Sequence, residues 1–357
     1  MSFKRKYLKD DPSVYFIAEI GINHNGRPDL AKKMIEKSKE MGASAVKFQK
    51  RHFASLLHPD RPVENPTGYL SQHENDLPDE SKAFGTWSYP DKRLEFTDEQ
   101  HLELWKYTES LDMDYIISPW EEESVRFLAK HGAKAIKLAS IDANNYKFCD
   151  FVASFRIPTI VSTGMTSYDE MIRTWDIFQK HNCPIMFLHC TSSYPCPMED
   201  KNLSCIPVIK ELFGEEVGFS GHATGIEGSM AAVALGARVV EKHVSLNPKM
   251  SGPDQAASLS FESFGELIHL SQNIVKAMGS PLKKFQSSEE TLHSVLSKRI
   301  VLKQSVRKGQ ELRMEDLDTR VIKGPGGLLP NRIYDVVGRK LKADMKEYHI
   351  LEAGDYE

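Results

Sequence analysis

Short apolar runs recur eight times along the chain, at 15–21, 44–49, 114–119, 135–140, 158–163, 185–190, 217–222 and 239–244. Their length and β-branched content suit buried parallel strands. Between them the pattern shifts to a helical period, at 30–41, 98–111, 121–131, 168–181, 202–213, 228–236 and 261–278. In the first of these, Leu30, Met34, Ser38 and Met41 fall on one side, with lysines and glutamates elsewhere. Gly42, Gly132 and Gly236 stand at or just past helix ends, where helices stop. Strand–helix alternation repeated eight times predicts an α/β fold, a (β/α)8 TIM barrel. A doubly wound open sheet is the alternative, and it is disfavoured because the units run on without a second-domain break.

Two regions depart from the alternation. Residues 50–97 are long, polar and proline-bearing, and they follow the second strand. A barrel connection in that place lies on the active face, which predicts a lid or an intersubunit arm. The barrel pattern, residues 1–278, then gives way to a polar linker at 279–294. Beyond it, 295–357 reads as strands and turns around a Gly/Pro-rich loop at 323–329. A piece this small buries a modest core and suits a docking or covering module.

Composition narrows the classes. The chain has 357 residues, 46 basic against 50 acidic, for a formal net charge of −4. That balance gives no reason to expect a nucleic-acid partner or an anionic membrane surface, and no apolar run approaches a membrane span. The first residues are basic but lack the apolar stretch of a signal peptide. Five cysteines without a CxxC pair read as reduced thiols, and the protein is expected in the cytoplasm.

In a barrel the strand ends carry the chemistry. Here they supply Glu19, Lys47, Gln49, Ser118, Lys137, Ser140, Ser162, Thr163, Cys190, Thr191, His222 and His243. Lys47 and Gln49 share one strand face, with Val46 and Phe48 on the other; Lys137 lies opposite Ile136 and Leu138 in the same way. An inward lysine is costly unless paired or wet. Two of them beside serine hydroxyls favour an anionic guest, a phosphate or a carboxylate. His222 and His243 close neighbouring strands and suit a divalent ion, an acid/base role or satisfied core positions. Glu19 is either an acid/base group of raised pKa or the ion-pair partner of Lys47. Asp254 follows the eighth strand. His24 carries the same alternatives as His222 and His243, and His189, set within an apolar strand, reads as packed. Gly324-Pro325-Gly326-Gly327 is no phosphate loop, because neither GK[ST] nor a helix follows it. No GxSxG is present, and His189 with Cys190 and Cys196 lacks zinc spacing.

These residues fall in a recognisable order. Glu19-Ile20-Gly21-Ile22-Asn23-His24-Asn25-Gly26, Val46-Lys47-Phe48-Gln49 and Ile136-Lys137-Leu138-Ala139-Ser140 resemble successive signatures of the sialic acid (N-acetylneuraminate) synthases. So do Ser162-Thr163-Gly164-Met165, His189-Cys190-Thr191-Ser192-Ser193-Tyr194-Pro195, Gly218-Phe219-Ser220-Gly221-His222 and Glu241-Lys242-His243. The resemblance implies a TIM barrel followed by a small β-rich antifreeze-like (SAF) domain. It implies condensation of phosphoenolpyruvate with an N-acyl hexosamine to a nine-carbon 2-keto sugar acid and phosphate. The sugar would be N-acetylmannosamine, its 6-phosphate or a dideoxy analogue. A divalent metal ion, commonly manganese with magnesium or cobalt as alternatives, and a domain-swapped homodimer are implied as well.

Carried over by position, His222 and His243 correspond to the metal ligands and Glu19 to the carboxylate near the reacting carbons. Lys47, Ser118, Lys137, Ser140 and Ser162 correspond to phosphoenolpyruvate contacts. Gln49, Tyr194 and Asp254 correspond to positions near sugar or metal, and Ser192 stands where many bacterial members have Asn. The C-terminal module departs from the bacterial pattern: Lys323-Gly324-Pro325-Gly326 has no arginine where an Arg-Pro-Gly is usual. A lysine there lacks bidentate geometry. Ser220-Gly221-His222 and 91–96 look closer to the animal-type synthases, which take a 6-phosphorylated sugar. Two rivals are a Schiff-base pyruvate aldolase using Lys47 or Lys137 and a non-catalytic sugar-binding barrel.

Overall fold

The computed structural model describes residues 13–56, 92–214, 216–250 and 252–357. The chain splits into two compact units, the first ending at Gly279 and the second running Ser280–Glu357.

In the first unit, the strands β1 (Tyr15–Gly21), β2 (Ala45–Lys50), β3 (Asp114–Pro119) and β4 (Ile136–Leu138) are followed by β5 (Thr159–Ser162), β6 (Ile185–Cys190), β7 (Gly218–Gly221) and β8 (Val239–Ser245). Each pairs in parallel with the next, and β8 pairs with β1, so the sheet closes into an eight-stranded barrel. The helices between them are α1 (Pro28–Glu40), α2 (Asp98–Ser110), α3 (Glu122–Lys130), α4 (Tyr146–Ser154), α5 (Tyr168–Lys180), α6 (Cys205–Phe213) and α7 (Glu227–Ala234). A short strand β9 (Leu259–Ser260) beside β8 leads into α8 (Phe261–Met278).

Helix starts follow local chemistry. Pro28 opens α1 where its missing N–H costs nothing. Thr97 with Gln100, and Ser167 with Glu170, form reciprocal capping boxes at α2 and α5. Gly42 takes a φ of 91°, which ends α1 at little cost.

Two differences from the sequence reading have clear causes. Helix α4 was not among the predicted helices: it has nine residues, aromatic-rich and of weak helical propensity. The Asn145 cap and burial of Phe148, Cys149, Val152 and Ala153 stabilise it. Ser140, expected at a strand end, lies in a 3-10 turn (Ser140–Asp142), because β4 is only three residues long. Most of the expected 50–97 excursion, residues 57–91, lies outside the described residues.

Strand alternation sorts the side chains into two layers. Phe16, Ala18, Ile20, Val46, Phe48, Ile136, Leu138 and Val240 pack outward against the helices. Ile17, Ala45, Ile116, Ile160, Met186, Leu188 and Val239 form a separate apolar cluster inside the barrel.

The second unit has its own core of Ile300, Leu302, Val306, Leu312, Leu317, Val336, Leu341 and Leu351. Within it β10 (Lys298–Leu302) pairs antiparallel with β11 (Leu317–Val321). The segment expected as a linker contains a short helix, α9 (Glu290–Leu296), in which Leu292, Val295 and Leu296 are exposed.

Candidate active site

At the C-terminal ends of the barrel strands lies a cavity of about 650 Å³. That is ample for a small organic substrate pair. All twelve residues carried over above line it: Glu19, Lys47, Gln49, Ser118, Lys137, Ser140, Ser162, Ser192, Tyr194, His222, His243 and Asp254. Thr163 and Thr191 turn away and donate to the carbonyls of Leu188 and Asp200. His24 stacks on Phe96 at 3.9 Å, and His189 bonds to the Lys201 carbonyl at 2.7 Å, as packed histidines do.

The charged groups form one network. Lys47 Nζ lies 2.9 Å from Glu19 Oε2 and 3.5 Å from Glu241 Oε1, and donates to Ser118 Oγ at 3.1 Å. Lys137 Nζ lies 3.8 Å from the same Glu241 oxygen and donates to Ser162 Oγ at 2.7 Å. Gln49 donates to Glu19 Oε1, and Ser220 to Glu241. Glu19 is paired with Lys47, and burial lifts its carboxyl to about 7. Burial opposes ionisation of Lys47 too, but the charges of Glu19 and Glu241 outweigh it and its pKa rises. For Lys137 burial wins and the pKa falls. Burial would raise Glu241, yet the two lysines hold it down as a carboxylate.

Glu241 was missed as a site residue. The signal was present: it sits two before His243 on β8, hence on the same inward face.

Beside this network, the rings of His222 and His243 lie 5.5 Å apart, with Tyr194 over His222 at 3.9 Å. His222 Nδ1 is 3.0 Å from the Thr191 carbonyl. A carbonyl only accepts, so Nδ1 carries the proton and Nε2 keeps its lone pair. Burial pulls His222 down to about 4 and His243 well below its ordinary value, so both are neutral near pH 7. Buried His243 Nδ1 and Glu241 Oε2 have no hydrogen-bond partner among the described residues. Asp254 Oδ2 lies 3.9 Å from His243 Nδ1, and burial raises its pKa. Among the described residues no group of three or more His, Cys, Asp or Glu is arranged to hold a metal ion. Two neutral imidazoles with open ring nitrogens, near a carboxylate, nonetheless suit a borderline divalent ion that takes its other ligands from water or substrate.

Beside Ser140 and Ser192, which line the cavity, the backbone comes close. A Cβ on Gly164 would meet Ser192 Oγ at 2.1 Å and Ser140 Oγ at 2.7 Å. Gly164 N–H donates to Ser140 Oγ. A larger residue would have to displace these hydroxyls, which with Lys137 and Ser162 make a donor-rich cradle for an anion. Trp120, Ile141 and Met165 add apolar surface.

Known proteins bear on this arrangement. The NeuB family model matches residues 34–283. Human N-acetylneuraminate-9-phosphate synthase is 36% identical over 334 residues, covering 93% of this chain and 90% of its own. The N,N'-diacetyllegionaminic acid synthase of Legionella pneumophila is 31% identical, covering 93% and 91%. Among solved structures, the sialic acid synthetase of Leptospira borgpetersenii, in complex with citrate, superposes with a TM-score of 0.66 at 28% identity, over 78% of this chain and 90% of that one. The Bacillus subtilis spore coat polysaccharide biosynthesis protein spsE gives 0.61 at 26%, over 96% and 95%. A family model spanning most of the barrel, and relatives above 30% identity along nearly the whole length, place this chain in the NeuB family, whose named relatives are synthases of the sialic acid type.

Proposed function

We propose that the barrel mouth condenses phosphoenolpyruvate with the open-chain aldehyde of an N-acyl hexosamine, giving a nine-carbon 2-keto sugar acid and phosphate. The observation that carries this reading is two buried ammonium groups and two buried carboxylates in one cavity with a pair of neutral imidazoles. Synthase relatives at this level of identity support it.

Lys137, Ser140, Ser162 and Ser192 hold the phosphate; Lys47 and Ser118 hold the carboxylate of phosphoenolpyruvate. Gln49, Tyr194 and Asp254 orient the sugar. C3 of phosphoenolpyruvate attacks the aldehyde carbon, and the aldehyde oxygen gains a proton to become a hydroxyl. The cation left at C2 is steadied by Glu19 and Glu241, preorganised donors of negative charge in a water-poor site. Water adds at C2 and loses a proton, for which Glu19 is the acceptor. The C2–O bond to phosphate then breaks, the C2 hydroxyl gives its proton to the departing phosphate, and the ketone is left. His222 and His243 would hold a divalent ion, manganese in our reading, which when bound would supply Lewis-acid polarisation of the sugar carbonyl.

The second unit is read as the SAF-type module. A homodimer in which each module covers the partner's barrel completes the proposal. No helix among the described residues is long and apolar enough to cross a membrane. All five cysteines are free, and the enzyme is read as one of the cytoplasm.

Mass spectrometry of products tests this directly. Phosphoenolpyruvate is offered with N-acetylmannosamine, its 6-phosphate and dideoxy analogues in the presence of Mn2+. One of them should give the nine-carbon acid and stoichiometric phosphate. Product from pyruvate instead, with borohydride trapping of Lys47 or Lys137, would establish the aldolase; tight sugar binding without turnover would establish the binding protein.

A further inference from the structure

Lys242 is among the most deeply buried side chains of the barrel, at 1% exposure. It lies between Glu241 and His243 on β8, so alternation turns it away from the cavity they line. It pairs in register with Gly221, and a Cβ there would lie 3.5 Å from its Cδ. No ion pair with a carboxylate is formed by Lys242 among the described residues. Its ammonium instead donates to the carbonyl of Ala223, the residue after His222. Burial and the Lys201 charge oppose its ionisation more than Cys196 and Glu227 favour it, so the one hydrogen bond it makes carries much of its benefit.

That bond completes a set of restraints on one short segment. The His222 ring is held through Nδ1 by the Thr191 carbonyl, its own carbonyl accepts from Cys196 N–H at 3.1 Å, and the next carbonyl accepts from Lys242. The first two bonds fix the ring and its peptide from the β6 side. Of these three only the last comes from β8, the strand that carries His243, and it extends past Gly221 the tie that the β7–β8 ladder makes.

We propose that Lys242 is a positioning residue that ties the turn after β7 to β8, and so sets the spacing of the His222 and His243 imidazoles. It touches neither substrate nor ion. The inference rests on the reading of those two histidines as cation ligands; bonds made directly to such ligands change metal affinity by roughly 10–100-fold when removed, and a bond one residue away belongs at the low end of that range.

The test is Mn2+ binding to the purified full-length chain, read by paramagnetic resonance of the free ion, with steady-state kinetics alongside. Lys242→Met keeps the stem and removes the donor. The Mn2+ Kd should rise by about tenfold, while the KM for phosphoenolpyruvate stays within about twofold. Lys242→Gln, which keeps a donor, should recover part of the affinity. His222→Ala is the reference and should abolish tight Mn2+ binding. Unchanged Mn2+ affinity in Lys242→Met, with binding lost in His222→Ala, overturns the role of Lys242 and leaves the site reading standing. Mn2+ binding retained in His222→Ala overturns the site reading and this inference with it. If both Lys242 variants fail to fold, or lower Tm without moving Kd, the lysine serves the fold alone and the proposal is wrong.

Discussion

The inward faces of the same strands carry two different interiors. Towards one end, Ile17, Ala45, Ile116, Ile160, Leu188 and Val239 make a dry apolar floor. Two residues further along each strand stand Glu19, Lys47, Ser118, Ser162, Cys190 and Glu241, all lining the cavity. One inward step, about 6.6 Å of strand, separates them. Both layers are buried, so burial does not distinguish them. What differs is the source of stability. The floor gains from apolar contact, whereas the upper layer is tolerable only because each charge faces an opposite charge or a guest. A rigid floor holds the strand ends still, and preorganised charge above it is what catalysis needs.

This contrast predicts that upper-layer changes remove activity and floor changes remove stability. The largest effect belongs to His243→Ala, which should cost at least about 10³-fold in Mn2+-dependent kcat/KM with little change in the Tm of the metal-free protein. Phosphate release and a thermal melt on one preparation read both. Next, Leu188→Ala should lose about 2–5 kcal/mol of stability in urea unfolding, with KM values near those of the parent. A floor variant that loses activity without losing stability would break the comparison.

Glu241→Gln removes the countercharge that Lys47 and Lys137 share. It should lower kcat/KM by roughly 10²-fold, visible as a fall in kcat more than a rise in KM. The smallest effect is on pH dependence. Glu19 has its carboxyl lifted by burial to about 7, from an ordinary 4.5. The native state therefore holds this proton more tightly than the unfolded chain. The stability contributed is complete below pH 4.5 and is lost as pH rises to about 7. Ionisation over the same window should raise kcat/KM towards a plateau above pH 7. In Glu19→Gln both the acid limb of the rate profile and that stability slope should disappear.

Much of this was legible in the chain because strands and helices have fixed periods. Eight apolar runs located eight strands, and the two-residue repeat put Lys47 with Gln49 and against Val46. The capping pairs Thr97/Gln100 and Ser167/Glu170 are local chemistry, readable four residues at a time. Helix α4 was not legible, since its short aromatic stretch is helical only once buried. Glu241 escaped although its position pointed inward, because nothing in its neighbourhood shows that two lysines from β2 and β4 converge on it.

By itself, then, the sequence determined which side of each strand a residue faces, where the strongly periodic helices lie, and, through the order of its motifs, the kind of chemistry to expect. Barrel closure decided the rest. Residues more than a hundred positions apart meet only when β8 joins β1, and only then do Glu19, Lys47 and Glu241 share a cavity and shift one another's protonation. Distance and dielectric set electrostatic energies, and neither is written in a linear chain.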